Sequence, residues 1–247
     1  YLPDGPEVNT PYSLTWSSGR LWMVQGGRWV NQNKTPGHVM IFDNGKWKNI
    51  TNSVLQAAIN QKSGLDLTGI AVDKDDATHF WVSSYGTGLY EFKEDVLVNR
   101  YTADNSIMGS AAANTDRYTR VENPVYDNEG VLWVSVAGGV DTTLVAFLPD
   151  GSQRGVNFYT EENYTEENKR FVLSTPGGLL IDHKNPDRKW AISCRAEPGV
   201  VLLDDGGTRY DGGDDQCVVR KEFHDQDGQL IVPEYFYGVS QGPDGSV

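Results

Sequence analysis

The chain has 247 residues, enough for one domain with a sizeable core. Its 34 acidic residues against 21 basic ones give a formal net charge of −13, which argues against nucleic acid and against an anionic membrane surface, since both demand clustered Lys and Arg. With 27 glycines and seven tryptophans the composition fits many turns between aromatic-packed strands, and no heptad pattern or membrane-length apolar run occurs.

The chain opens on Tyr1-Leu2-Pro3-Asp4-Gly5-Pro6, a linker-like turn. A first set of short strands follows: Leu14–Trp16, Leu21–Val24 after a Ser-Ser-Gly turn, and Val39–Phe42. A long excursion, Gln25–His38, separates the last two and carries Arg28 and Trp29, a planar cation beside a flat ring. Long loops in compact folds often carry function; the competing reading has Trp29 plugging the next sheet. Thr51–Gly64 reads as a helix, with Asn52 or Ser53 as cap, an apolar stripe of Val54, Leu55, Ala58 and Ile59, and Gly64 as a left-handed stop.

The second set is Gly69–Asp73, Phe80–Ser83 and Leu89–Phe92, with a polar turn at Lys74–His79 and a tight turn at Tyr85–Gly88. Too few residues separate these strands for helices, so the pairing is an antiparallel meander. Asn105–Arg120 is a polar loop. The third set is Asn123–Tyr126, Leu132–Ser135 and Leu144–Phe147, followed by a polar loop over Gln153–Lys169. Glu161-Glu162 and Glu166-Glu167 in that loop suggest acid/base chemistry or a cation site, against the competing reading of a solvated charge run. The fourth set is Leu179–Asp182, Trp190–Ser193 and Val200–Leu203. The Asp-Gly run over Asp204–Asp215 lacks the alternating oxygens of a calcium loop and reads as hairpin turn. Cys194 and Cys217 fall on strands with another strand between them, which predicts two free thiols. Gly238–Val247 repeats a first strand and turn, so the sequence is expected to be a segment of a longer protein.

Tryptophan recurs in the same slot at 22, 81, 133 and 190, at spacings of 59, 52 and 57. Four-strand units at such a period are the signature of a β-propeller, whose blades usually take about 40–50 residues. The fold class expected is all-β: about four four-stranded antiparallel blades of a propeller, an incomplete ring or a fragment of a larger one, with one short helix. The blades run roughly over 10–66, 67–120, 121–175 and 176–235, with a fifth beginning at 236–247. The tryptophans are assigned to packing between blades, where a buried indole needs a partner for its N–H. An incomplete ring leaves two apolar flanks, through which the chain could self-associate.

The run Trp81-Val82-Ser83-Ser84-Tyr85-Gly86-Thr87-Gly88-Leu89-Tyr90 resembles the hallmark turn of two-component regulator propeller repeats, found in periplasmic sensors of Bacteroidetes. A closer resemblance is to the propellers of PorZ-like proteins of the type IX secretion machinery. Gly26–Trp29 with Pro36–Phe42, Ser83–Phe92 with Tyr101–Ser106, and Asp204–Asp215 with Asp225–Gly228 carry it. Where the repeats usually have Gly after the Trp-hydrophobic pair, this chain has Ser83, Ser135 and Ser193. The resemblance implies export to the periplasm or cell surface, and it supplies no catalytic residue and no cofactor.

The four histidines, 38, 79, 183 and 224, are scattered without the i, i+4 spacing of a zinc helix, and no nucleophile elbow, phosphate loop or dinucleotide fingerprint occurs. In a propeller the loops joining second and third strands emerge on one face. That topology brings Arg28, Trp29, Tyr85, Asp141, Arg195 and Glu197 toward a common rim, an aromatic platform with flanking cations and carboxylates. The function expected is a non-enzymatic binding platform, PorZ-like, whose partner is a protein or a surface glycan such as lipopolysaccharide. The alternative is an oligosaccharide-sensing domain of a hybrid two-component system, and the third reading is a glycan-active propeller enzyme. No metal, cofactor, nucleic acid or membrane insertion is expected of this segment.

Overall fold

A computed structural model describes residues 4–29, 31–58, 64–138, 142–156, 158–159, 170–171, 175–194 and 198–247. The chain divides into two compact units, Tyr1–Ser106 with Ser110–Tyr126, and Ile107–Gly109 with Asp127–Val247.

The first unit begins with a meander of β1 (Ser13–Ser17), β2 (Arg20–Gln25), β3 (His38–Asp43) and β4 (Lys46–Ile50). Its two-residue turns suit the twist of the strands: Ser18-Gly19 and Asn44-Gly45 both have positive φ, as such hairpins require. The helix α1 (Asn52–Ala58) follows. The second meander is β5 (Leu67–Val72), β6 (His79–Gly86), β7 (Gly88–Lys93) and β8 (Val96–Tyr101). A four-residue helical turn, α2 (Thr115–Tyr118), leads into β9 (Thr119–Tyr126), which pairs antiparallel with the end of β6 through Tyr85 opposite Arg120 and Gly86 opposite Thr119.

Side-chain alternation along the second strands decides the packing. Trp22 faces the next sheet and meets Phe80 with ring centroids 4.9 Å apart, and Phe80 stacks on Phe92. Val24, Ile41, Leu67 and Tyr90 join this core, and Leu55 of α1 is buried in it. One residue on, Trp81 points the other way, and its Nε1 donates to the Tyr126 hydroxyl on β9 at 2.8 Å. The inter-blade assignment of these tryptophans is thus what the structure shows. On the opposite face of the first sheet, Leu14, Trp16, Leu21, Phe42 and Trp47 share one side by register, with Leu14 58% and Trp16 70% exposed.

The second unit contains β10 (Leu132–Ala137), β11 (Leu144–Phe147) and β12 (Gln153–Val156) in one meander, then the short pair β13 (Phe158–Tyr159) and β14 (Arg170–Phe171). A four-stranded sheet follows, of β15 (Pro176–Ile181), β16 (Arg188–Ser193), β17 (Gly199–Asp204) and β18 (Gln216–Arg220). The hairpin of β19 (Phe223–His224) and β20 (Leu230–Ile231) comes next. Trp133 donates from Nε1 to the Asp127 carboxylate at 3.0 Å. Lys189, immediately before Trp190, occupies the slot that Phe80 fills before Trp81. It is 2% exposed, its ammonium lies 5.0 Å from the Trp133 ring centroid, and it pairs with the equally buried Asp205.

Several local expectations are corrected. Gln153–Val156 is a strand, because its backbone completes the ladder with β11 although Gln153 and Arg154 are polar. The loop expected over Asn105–Arg120 contains α2 and the start of β9. The turn at Tyr85–Gly88 is tighter than expected, since β6 runs to Gly86 and β7 starts at Gly88. Gly64 is not among the positive-φ glycines, so it is no left-handed stop. Neither cysteine is in a disulfide, as expected, and burial pushes the Cys217 thiol up to about 11. The Asp-Gly run spends its carboxylates internally: Asp204 accepts from Arg188, Asp205 from Lys189, and Asp214 from the Thr208 hydroxyl. Glu161, Glu162, Glu166 and Glu167 lie outside the described residues.

Replacing Lys189 by Ala leaves Asp205 buried without its cation, and urea unfolding should show a loss of about 3–5 kcal/mol. The double change Lys189→Met with Asp205→Leu should recover most of that loss, because a desolvated pair and a well-packed apolar pair are close in stability. Equal losses in the single and double variants would overturn this account.

Candidate functional site

In the first unit the segment after β2, the residue before β5, the end of β6 and the start of β9 meet at one end of the sheets. The excursion 26–37 is pinned there by Asp66, whose carboxylate accepts from the backbone N–H groups of Lys34 at 2.9 Å and Thr35 at 2.8 Å. Asp66 also accepts through its carbonyl from the Tyr85 N–H at 2.8 Å. Burial raises the Asp66 carboxyl above its ordinary value, against the pull of the two N–H donors and of Arg117. Gly26 is obligatory at the root of the excursion: a Cβ there would sit inside the backbone of Leu67.

The excursion delivers Arg28 to β9. Its Nη1 lies 2.5 Å from Glu122 Oε2, with the two side chains only 6% and 3% exposed, and its guanidinium carbon stands 4.5 Å from the Trp29 ring centroid. Burial pushes the Glu122 carboxyl up to about 7, opposed by Arg28 and then by Arg120. Two residues back on β9, Arg120 is held by aromatic faces: its guanidinium carbon is 4.9 Å from the Tyr85 ring centroid and 5.6 Å from that of Tyr118. Among the described residues Arg120 has these ring contacts and no hydrogen-bond or ion-pair partner.

Of the six residues expected at the rim, Arg28, Trp29 and Tyr85 fall in this end of the first unit, linked through Glu122 and Arg120. Arg28 is taken up by Glu122 rather than presented to solvent, and Tyr85 sits on a paired strand rather than a free loop. Asp141, Arg195 and Glu197 lie outside the described residues. The sequence reading missed Arg120, Tyr118 and Glu122. The signal was the alternation Tyr118-Thr119-Arg120-Val121-Glu122, hidden at the end of a segment read as polar loop.

The hallmark turn braces this end. Ser84 Oγ donates to the Leu65 carbonyl at 2.6 Å and accepts from the Thr87 N–H at 2.9 Å, while Arg100 Nε donates to the Thr87 carbonyl at 2.7 Å. Gly88, at φ 93°, lies so close to the Tyr101 carbonyl that no side chain fits.

His79 is the histidine with the richest surroundings. Its Nε2 is 3.0 Å from Glu91 and its Nδ1 3.3 Å from Asp73, and its ring packs on Trp81. The contact with Glu91, and then that with Asp73, raise its pKa against the effect of burial. His38 moves the other way, lowered by burial. No helix among the described residues is long and apolar enough to cross a membrane.

A scan against protein-family models and a search of curated proteins found no match. Among solved structures, the chain is similar to PorZ, described as an essential bacterial surface component of the type-IX secretion system of Porphyromonas gingivalis. The identity is 24% and the TM-score 0.83, over 99% of this chain and 32% of that one. This likeness shows the fold: the chain is a β-propeller fragment of antiparallel blades with one short helix, and it spans about a third of the PorZ chain. Looser likenesses are to the extracellular domain of a hybrid two-component system from B. thetaiotaomicron and to virginiamycin B lyase from Staphylococcus aureus. The first has 14% identity over 91% of this chain and 31% of that one, TM-score 0.39; the second has 13% identity over 91% and 63%, TM-score 0.48.

Proton NMR should place the His79 titration midpoint above the ordinary value of about 6.5, and Glu91→Gln should lower it. Because folding raises this pKa, the stabilisation from His79 is complete below the unfolded value and is lost as pH rises through the folded one. A midpoint below the ordinary value would contradict the geometry described.

Proposed function

We propose that this chain is a non-enzymatic binding platform in an exported, PorZ-like component of a Bacteroidetes secretion system. The carrying observation is Arg120, held between Tyr85 and Tyr118 with its donors unused among the described residues. A stacked guanidinium is oriented for bidentate bonding to an acceptor, and the rings beside it suit flat apolar surface such as a sugar face. The groups best placed for acid/base work already have partners here: His79 lies between two carboxylates, Glu122 pairs with Arg28, and Asp66 holds backbone N–H groups. The ligand in this reading is a surface glycan, with lipopolysaccharide the first to test.

Surface plasmon resonance against immobilised Bacteroidetes lipopolysaccharide is the test. Arg120→Ala should weaken binding by about tenfold or more, in keeping with about 1.5–3 kcal/mol for a hydrogen bond to a charged group. Trp29→Ala with Tyr85→Ala should weaken it further. Full affinity in both variants would remove the site from consideration.

A further inference from the structure

We propose that capture of an oxyanion at Arg120 is coupled to proton uptake by Glu122. The proposal rests on the reading of Arg120 as the ligand anchor and adds its regulation.

The geometry is that of one buried carboxyl paired with Arg28 and within the electrostatic reach of Arg120. Glu122 is 2% exposed. The charged groups acting on it are Arg28, from the excursion after β2, and Arg120, from its own strand. Arg120 and Glu122 are two residues apart on β9, on the same face and about 6.5 Å apart along the strand. An anion seated on the donors of Arg120 is therefore brought close to the Glu122 carboxylate, in surroundings where water screens little. Two negative charges in that space oppose each other, and the one that can be discharged without dismantling the fold is Glu122. Once protonated it still offers Arg28 a carbonyl oxygen to bond, so the excursion stays docked while the repulsion is gone.

Burial gives the coupling its range. Burial pushes the Glu122 carboxyl up to about 7, against the pull of Arg28, which brings its titration toward the neutral range. A ligand anion pushes it further up, since like charge disfavours ionisation. By linkage, affinity for the anion then rises as pH falls through this range.

Sulfate is a suitable probe, because it does not titrate between pH 5.5 and 8.5. Its binding is followed on the Arg120 Nε–Hε signal by NMR and on the heat of binding by calorimetry, using the whole chain. The expected result is affinity about tenfold higher at pH 5.5 than at 8.5, which corresponds to a one-unit rise of the Glu122 pKa on binding. Calorimetry in two buffers of different ionisation heat should show uptake of about half a proton per sulfate at pH 7.5. Glu122→Gln should bind sulfate at every pH as tightly as the natural chain does at pH 5.5, with no proton uptake. If sulfate leaves the Arg120 signal unmoved at every pH, the anchor reading itself fails. If sulfate binds at Arg120 with no pH dependence and no proton uptake, the coupling fails and the anchor stands. A pH dependence that persists in Glu122→Gln removes Glu122 from the role. The buffer comparison uses the natural chain and so decides the coupling even if that variant does not fold.

Discussion

The second sheet of this protein has two faces to bury, and one set of strands must serve both. Its second strand carries the solution in two adjacent residues. In the first unit Phe80 reaches back to Trp22 and Trp81 reaches forward to Tyr126. Every central indole also needs an acceptor, since burying an N–H without one is costly. The chain finds a different one each time: the Ser17 carbonyl for Trp22, the Tyr126 hydroxyl for Trp81, Asp127 for Trp133 and Asp182 for Trp190. In two cases the acceptor is the aspartate that also shapes the preceding turn, so hairpin and core are fixed by one side chain.

The fourth blade shows how far this scheme tolerates departure. Where Phe80 stands in the second blade, Lys189 stands in the fourth, and its charge is met by Asp205 and by the face of Trp133. The first unit contains a comparable pair in Arg28 and Glu122. Both are ion pairs withdrawn from water, and such pairs constrain geometry more than they add stability. In the first unit the constraint has a visible product: it ties a long excursion to a strand of a later blade.

The blades were legible because their signals are local. Period-two alternation, Asn-Gly and Ser-Gly turns and a recurring tryptophan are readable within a few residues. The strand β12 was missed because Gln153, Arg154 and Gly155 face solvent in part and break the apolar pattern, although the backbone completes the ladder. The substituted Ser83 became intelligible only in three dimensions, where its hydroxyl meets Thr68, which in turn donates to the Val121 carbonyl. Topology drew attention to Arg28, Trp29 and Tyr85, which lie at the same end of the first unit. It could not show that Arg28 finds Glu122, 94 residues away, or that Arg120 meets the rings of Tyr85 and Tyr118. Pairings of that kind depend on the packing of whole sheets and leave no trace at short range.

The stack of Tyr85, Arg120 and Tyr118 also has an entropic consequence. A free arginine side chain loses rotamer freedom worth about 1.5–2 kcal/mol when it is fixed. Here two rings and a paired backbone have fixed it already, on a strand whose first residues are hydrogen-bonded to β6. That ordering belongs to folding, so in the proposed binding role a ligand would meet a group with little disorder left to lose.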